Sequence, residues 1–498
     1  MPKNVFFYAA VLLLFGTGIY FILDYGSGLK PTASAVASQA EAPKTAQAPA
    51  AATEAAKASG GGIAQGLVKN VREPLSILLL QIIVIVAAAR LLGSLFHKIG
   101  QPPVIGEMVA GILLGPSLLG LVAPTVQTFV FPADSMGALR MLSQVGVILF
   151  MFVVGIELDI KHLRQKADAA VLVSHASIVV PFFLGCAAAL FLYPSLAPAG
   201  VPFSAFGLFI GVSMSITAFP VLARIIEERR MSRSVLGSTA IACAAVDDVT
   251  AWCLLAAVVA IVKSTGIAGS LLTIGLTVLF IAGMLFVVRP RMNRYMSRII
   301  GERPEGQVGS MGLLAGIFVF VFVSALFTEA IGIHALFGAF LAGVCMPQDS
   351  RLRQFLRERL ETFSSVLLLP LFFAFTGLRM QVGLLNDWGS WLMCLGIITV
   401  AIVGKLGGSM AAARWTGMSW GDSFSLGALM NTRGLVELIV LNLGYDLNIL
   451  SPRIFTMLVL MALVTTFMTG PLLQLRHVVE RRWSLAVASH GNQTHSSV

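Results

Sequence analysis

The chain has 498 residues, of which 57% are hydrophobic and only 12% are charged. A soluble domain carries about 25% charged residues, so the composition excludes a soluble protein and predicts an all-α polytopic membrane protein. The formal net charge of +10 is concentrated in short loops beside apolar segments, which is the pattern that orients a membrane protein rather than one that binds nucleic acid.

The chain begins with one N-terminal hydrophobic segment, residues 1–23, in which residues 5–23 form an apolar stretch after Lys3. This stretch predicts either a transmembrane helix or a signal segment cleaved near Ala33-Ser34-Ala35. Residues 24–73 are rich in Ala, Pro, Gly and Ser. Such a composition cannot bury a core, so we predict a disordered linker outside the cytoplasm.

The region 75–475 contains thirteen apolar segments of about 20 residues, the length that crosses a bilayer. We predict a 13-helix core made of 76–97, 103–121, 137–158, 168–193, 203–224, 236–262, 267–288, 310–329, 331–347, 363–380, 391–413, 422–444 and 452–475. Basic residues recur in alternate loops, and they include Lys98, Lys161, Arg229, Arg289, Arg357 and Arg476. By the positive-inside rule these loops are cytoplasmic, as is the short tail 476–498.

Two pairs of motifs predict an internal repeat. VAGILLGP (109–116) in the second segment resembles LAGVCMP (341–347) in the ninth, and FMFVVGIEL (150–158) in the third resembles FFAFTGLRM (372–380) in the tenth. Both pairs lie seven segments apart, and an odd offset means that the copies cross the membrane in opposite directions. Inverted-topology repeats of this kind are a recurring architecture of secondary transporters.

The same offset pairs the fifth segment with the twelfth, and each contains a helix-breaking motif. The fifth contains SMSITAFP (213–220), in which Pro220 lacks the amide donor that a helix requires. The twelfth contains MNTRG (430–434), with Asn431, Thr432 and Gly434 at the break. We therefore predict two crossed discontinuous helices, which in transporters mark the transport site.

Asp247 and Asp248 are adjacent in the sixth segment. An ionised carboxylate at mid-membrane costs about 2.5–3.5 kcal/mol on insertion scales, so the pair predicts a binding site. We expect one aspartate to pair with Lys405 of the eleventh segment and the other to face a water-filled cavity. The hydroxyls of Ser215 and Thr217 are expected to add oxygen ligands for an alkali cation. A site that holds either a proton or a cation is sufficient for coupled exchange and needs no cofactor.

Other buried ionisable groups suggest structural roles. Arg433 and Glu437 lie four residues apart on one helix face. We expect them to neutralise each other and the dipoles of the broken helix rather than to bind the ion. Glu107 and Glu157 are expected to be structural or gating groups.

Three stretches carry a family resemblance: GQPPVIGEMVAGILLGPSLLG (100–120), AVDDVTAW (245–252) and MNTRGLVELIVLNLG (430–444). They resemble the monovalent cation:proton antiporter-2 superfamily, and the last is most similar to its cation/H⁺ exchanger branch. The resemblance implies a secondary Na⁺/H⁺ or K⁺/H⁺ antiporter of the inner membrane. It also implies a homodimer in which a core domain over part of 75–475 moves against a dimerisation domain.

The resemblance implies a role for each aspartate. Asp248 would be the main ligand of Na⁺ or K⁺ and the proton carrier, and Asp247 would pair with the core lysine, here Lys405. Adjacent aspartates imply electrogenic exchange, whereas the branch similar at 430–444 implies an electroneutral or potassium-linked one. Many relatives carry a cytoplasmic nucleotide-binding domain, and the short tail 476–498 predicts that none is present in cis.

Three alternatives to an antiporter follow from the same residues. A gated, channel-like K⁺ efflux protein would need a selectivity filter such as TVGYG, and the sequence has none. An intramembrane aspartyl protease needs aspartates from separate helices, so we expect no enzyme. A non-transporting membrane sensor would leave the repeat and the two broken helices without a purpose. The expected partners are therefore a monovalent cation, protons and membrane lipids, with no nucleic acid.

Overall fold

The computed structural model describes residues 2–31, 70, 73–157, 167–231, 234–263, 267–301, 311–347, 349–361 and 363–494. The described chain is helical and contains no strand. The first half comprises α1 (Pro2–Gly26), α2 (Pro74–Lys98), α3 (Pro103–Leu114), α4 (Leu119–Val122), α5 (Pro124–Val130), α6 (Met136–Glu157), α7 (Ala167–Leu196), α8 (Phe203–Ser215), α9 (Phe219–Glu228) and α10 (Val235–Lys263).

The second half comprises α11 (Ile267–Ala282), α12 (Arg289–Gly301), α13 (Met311–Ile331), α14 (Ala335–Val344), α15 (Ser350–Leu356), α16 (Leu369–Leu378), α17 (Trp388–Ile402), α18 (Gly408–Trp415), α19 (Trp420–Met430), α20 (Leu435–Asp446) and α21 (Pro452–Thr494). Four π-helical turns adjoin these helices, at Gly283–Val288, Arg357–Glu361, Ser364–Leu368 and Val403–Gly407. The predicted tail from residue 476 continues the last helix to Thr494.

The prediction of a polytopic membrane protein is confirmed. Within the described ranges, eleven helical spans are long and apolar enough to cross a membrane, and α19 with α20, bent by 43°, make a twelfth if they count as one broken span. The predicted ninth segment is shorter than expected. Its helix α14 has 10 residues, or about 15 Å at 1.5 Å per residue, because Gly332 adopts a φ of +93° and ends the preceding helix.

The N-terminal hydrophobic segment forms α1, which lies against the core. The Phe15 and Phe183 rings meet edge to face with their centroids 5.2 Å apart, so α1 contacts α7. Residues 32–69, 71 and 72 of the predicted linker lie outside the described residues.

The motifs of the predicted repeat meet one another in two reciprocal helix crossings. A Cβ on Gly111 of α3 would lie 2.5 Å from Cα of Ala374 in α16. A Cβ on Gly343 of α14 would lie 2.8 Å from Cα of Gly155 in α6. The second segment thus crosses the tenth, and the ninth crosses the third. If the repeat relates the second segment to the ninth and the third to the tenth, a contact between the second and tenth segments should recur between the ninth and third. The structure contains both contacts.

The interrupted helix α8–α9 lies at the centre of the bundle. All residues of α8 except Ser204 are buried, whereas large apolar side chains of α2, α11 and α13 point outward, among them Ile83, Leu279 and Val319. An apolar outer surface is what lipid requires, since every backbone polar group is already satisfied inside the helices. The fold therefore places the two breaks deep in protein and away from lipid.

Candidate ion-binding site

The two predicted helix breaks lie against each other. α8 ends at Ser215, residues 216–218 are extended, and Pro220 stands in the first turn of α9. The Ala218 amide donates a hydrogen bond to the Thr432 carbonyl (3.0 Å), and Thr217 Oγ1 donates to the Met430 carbonyl (3.0 Å). The first break thus provides hydrogen-bond donors for backbone carbonyls of the second. Buried backbone outside regular helices needs such partners, because it has no contact with water.

Gly434 allows this close crossing. A Cβ at this position would lie 2.7 Å from Cγ2 of Val221 and 3.2 Å from Cβ of Ala218. α21 holds the second break from its other side, because Thr466 Oγ1 both accepts from the Arg433 amide (3.0 Å) and donates to the Arg433 carbonyl (2.9 Å). Thr432 and Thr469 share a further hydroxyl contact of 3.3 Å.

Asp247 is fully buried and its carboxylate is saturated with donors. Oδ1 accepts from Ser174 Oγ (2.5 Å) and Ser177 Oγ (3.0 Å). Oδ2 accepts from Ser177 Oγ (2.8 Å) and Thr217 Oγ1 (2.7 Å), and it forms an ion pair with Lys405 Nζ at 2.9 Å. No oxygen of Asp247 is left for a further ligand without displacing a partner.

Lys405 is held by the same group of residues. It lies in the π-helical turn Val403–Gly407, a geometry often found at functional sites. Its ammonium donates to the carbonyls of Ser177 (2.8 Å) and Ser215 (2.5 Å) as well as to Asp247. The structure thus pairs Lys405 with Asp247, the partner that the resemblance implied.

Asp248 has the opposite environment. It is also fully buried, yet neither carboxylate oxygen has a hydrogen-bond partner in the described structure. The backbone amide of Phe219, at the start of α9, lies near the carboxylate without meeting hydrogen-bond geometry. The cavity expected at this aspartate is not present, since its side chain has no exposed surface.

Arg433 and Glu437 form a second buried ion pair, with Arg433 Nη1 2.7 Å from Glu437 Oε2. The guanidinium also donates to the carbonyls of Ser213 (2.6 Å) and Met214 (2.7 Å) in the last turn of α8. With Lys405 on the Ser215 carbonyl, three successive carbonyls at the negative end of α8 face a cation. These contacts place the Arg433 guanidinium where it can neutralise the negative end of α8.

One predicted ligand lies differently from expectation. The Ser215 hydroxyl donates to the Val212 carbonyl (2.9 Å), so this residue contacts Lys405 only through its backbone. Asn431 is fully buried, and both polar atoms of its amide lack a partner within the described chain. Ser174 and Ser177 were not predicted from the sequence, although their spacing of three places both on one face of α7.

The buried charges do not balance. Within the described chain, five Asp, Glu, Lys and Arg side chains have no exposed surface: Asp247, Asp248, Lys405, Arg433 and Glu437. Three carboxylates against two cations leave one negative charge when all are ionised. Since Asp247 and Glu437 each have a cationic partner, the surplus charge belongs to Asp248.

Two of the cavities in the described chain lie at opposite ends of α6, next to the broken helices. The larger, about 430 Å³, is named here the vestibule, and its lining includes Glu107, Glu157, Glu227, Arg357, Pro220 and Leu435. Pro220 and Leu435 belong to the first turns of α9 and α20, so the vestibule reaches both breaks. The smaller cavity, about 30 Å³, is lined by residues that include Arg140, His334, Arg379 and Asp446.

Crossed discontinuous helices around a buried carboxylate define a secondary transporter. The chain belongs to the sodium/hydrogen exchanger transmembrane family, a family of antiporters rather than enzymes, since the model of that family matches residues 83–475.

Relatives with curated names support the same family. The Na⁺/H⁺ antiporter NhaS4 of Synechocystis is 44% identical over 399 residues, which cover 80% of this chain and 96% of that protein. Cation/H⁺ antiporter 17 of Arabidopsis thaliana is 40% identical, over 88% of this chain and 52% of the relative. K⁺/H⁺ antiporter 1 of Saccharomyces cerevisiae is 34% identical, over 83% and 48% respectively. The chain therefore spans about half the length of the plant and yeast relatives.

The fold is similar to that of a solved structure, the sodium proton antiporter MjNhaP1 from Methanocaldococcus jannaschii. The two chains share 15% identity with a TM-score of 0.58, and the match covers 81% of this chain and 97% of that one. The likeness confirms the all-helical fold.

Proposed function

We propose that this protein exchanges a monovalent cation, Na⁺ or K⁺, for protons across the inner membrane, with Asp248 binding either ion in turn. The family supports cation/proton exchange, and the similar proteins are named as Na⁺/H⁺, K⁺/H⁺ and cation/H⁺ antiporters. The transported ions are the substrates, and the mechanism requires no cofactor.

The observation that carries this proposal is the partnerless carboxylate of Asp248. An uncompensated buried charge is costly, so the site favours the states in which it is neutralised. One proton or one alkali cation neutralises the charge of Asp248, whereas both together would give the site a net positive charge. Competition between the two ions at one carboxylate is sufficient to couple their movements in opposite directions.

Asp247 and Lys405 have a supporting role in this proposal. Their ion pair and the three hydroxyls around it hold α7, α8, α10 and the turn at Lys405 in one arrangement. Asp248, the next residue on α10, points about 100° away. The fixed pair therefore orients Asp248 toward the amide end of α9 without occupying its oxygens.

The two cavities support a state in which Asp248 is occluded and the larger cavity lies on the cytoplasmic side. The vestibule gathers Glu157, Glu227 and Arg357, next to loops that the positive-inside rule makes cytoplasmic. At the opposite end of α6, the cavity beside Arg140 and Asp446 measures only about 30 Å³. Exchange then requires the core around α8, α9, α19 and α20 to move relative to a second domain, which we propose forms a homodimer.

The proposal is tested in proteoliposomes with a preset pH gradient. We expect Na⁺ or K⁺, but not choline, to collapse the gradient with the wild-type protein. Asp248→Asn is expected to lower the exchange rate at least about 100-fold, since the amide cannot carry a proton or a charge. Asp134→Asn is the matched control, because it makes the same change at an exposed residue, and it is expected to exchange at the wild-type rate.

Two results would contradict the proposal. Exchange that persists in folded Asp248→Asn would show that another group carries the ions. A K⁺ conductance without proton movement in the wild type would indicate the channel-like alternative. Comparing Na⁺, K⁺ and Li⁺ in the same assay identifies the preferred cation.

A further inference from the structure

Glu107 is a buried carboxylate that the transport site does not use. It lies in α3 and is only 8% exposed. Within the described residues it forms no hydrogen bond and no ion pair, since the two nearby guanidiniums have other partners. Arg90 donates to the Ser365 carbonyl (3.0 Å), and Arg224 pairs with Glu228 at 3.1 Å. A residue that is more than nine-tenths buried, and whose carboxylate has no partner among the described residues, needs an explanation.

The position of Glu107 explains why its carboxylate has no protein partner in the described chain, because the side chain lines the vestibule. The surrounding wall includes the apolar side chains of Phe150, Val153, Val154 and Phe373, and it also contains the charged residues Arg224 and Arg357. In a cleft with low-dielectric walls, a carboxylate attracts a cation more strongly than it does at an open surface. The other carboxylates of the cavity differ: Glu157 lies 3.7 Å from Arg357, and Glu227 is exposed to solvent.

The vestibule has room for the ion and ends beside the transport site. Its volume of about 430 Å³ holds on the order of ten waters at about 30 Å³ each, enough for an alkali cation with its hydration shell. The same cavity is bounded by Pro220 and Leu435. Pro220 follows Phe219, whose amide lies beside Asp248.

We infer that Glu107 forms a second cation subsite, at which an alkali cation entering through the vestibule is held before it passes to Asp248. This inference rests on the proposed exchange at Asp248. The subsite would raise the local concentration of Na⁺ or K⁺ on the vestibule side alone. It would therefore set the apparent KM for the cation on that side and leave the maximal rate unchanged.

The test measures the apparent KM for Na⁺ and K⁺ separately from each side, in everted and right-side-out membrane vesicles. Glu107→Gln is expected to raise the KM about ten-fold on the vestibule side, with the KM on the other side and the maximal rate within about two-fold of wild type. Glu107→Met, an apolar replacement suited to a buried position, is expected to give the same result if the Gln variant does not fold. Glu107→Asp keeps the charge and is expected to keep the wild-type KM.

Glu227→Gln is the matched control. It removes a carboxylate that lines the same cavity but is exposed to solvent, where screening weakens its attraction for an ion. Its KM is expected to stay within about two-fold of wild type. The one-sided change in KM is a readout that a purely structural role of Glu107 would not produce.

The inference and the proposed function fail in different ways. If Asp248→Asn abolishes exchange while both neutral Glu107 variants keep the wild-type KM, the subsite is overturned and the exchange mechanism stands. A KM that rises equally on both sides, or that rises as much in Glu107→Asp as in Glu107→Gln, also overturns the subsite. If Asp248→Asn still exchanges, the proposed function itself has failed.

Discussion

Two adjacent aspartates acquire opposite properties because they leave the same helix in different directions. Neighbouring residues of a helix point about 100° apart, so Asp247 faces the serines of α7 and Lys405, whereas Asp248 faces the start of α9. Asp247 has a full set of partners and Asp248 has none. A difference in local packing, with no difference in residue type, separates the structural carboxylate from the proposed carrier.

The ion pair of Lys405 with Asp247 is predicted to be essential for stability because removing one member leaves the other charge buried and unpaired. Lys405→Met is expected to lower the free energy of unfolding by about 3–5 kcal/mol. Thermal unfolding of the purified protein, followed by fluorescence-detected size exclusion, measures the change. Lys263→Met makes the same substitution at an exposed residue near the end of α10, and we expect its melting temperature to match the wild type. Equal melting temperatures for the two variants would show that the buried pair does not stabilise the fold.

At the scale of the helices, the bundle depends on a few positions where two backbones nearly touch. Gly155 of α6 faces Gly343 of α14, and a Cβ on Gly155 would collide with the Phe340 carbonyl oxygen and lie 3.0 Å from Cα of Gly343. Such small residues replace the hydrophobic effect as the basis of helix association in lipid, since close backbones gain van der Waals contact. The crossing is therefore intolerant of even one methyl group.

Gly155→Ala is predicted to destabilise the protein by about 1–3 kcal/mol, the usual cost of overpacking a tight interior. Gly137→Ala offers the control within the same helix, because a Cβ there meets no atom within 4 Å. We expect the control to have the wild-type melting temperature or a slightly higher one, since alanine favours a helix over glycine. Equal melting temperatures for Gly155→Ala and Gly137→Ala would contradict the predicted destabilisation by overpacking.

Several residues of this site were predictable because charged and helix-breaking residues are energetically costly within a membrane. Asp247, Asp248 and Lys405 stand out in apolar segments, and Pro220 and Asn431 mark the two breaks. Which carboxylate keeps a partner was not predictable from the residues alone, since it depends on the rotation of α10 against α7. The contacts of the Arg433 guanidinium with the Ser213 and Met214 carbonyls were also not predictable. Every residue has a backbone carbonyl, and the sequence does not show which carbonyls contact a cation. The ninth segment was predicted as longer than α14, because Ile333, Cys345 and Met346 beside the helix are apolar as well.

At the scale of the whole molecule, a cluster of charges closes the end opposite the vestibule. Asp446, at the end of α20, pairs with Arg140 of α6 (2.8 Å) and with Arg379 (2.9 Å), which follows α16. The Arg379 guanidinium also lies 4.3 Å from the centre of the Phe375 ring and 5.2 Å from that of Tyr445. The cluster thus joins the second half of a broken helix to two neighbouring helices. It must separate if this end is to open.

Asp446→Asn is therefore predicted to favour the state that is open at this end. A loss of about 1.4 kcal/mol from partly buried ion pairs would raise the open population about ten-fold. The reporter is Ser143→Cys, a buried residue that lines the small cavity, labelled by a membrane-impermeant thiol reagent with the exposed Cys253 changed to Ser. Arg453→Gln, which breaks an ion pair with Asp387 outside the cavity, should label at the wild-type rate. If the reporter were labelled at the wild-type rate in Asp446→Asn as well, the prediction would be wrong. The charge cluster would then contribute to the stability of the fold without holding this end closed.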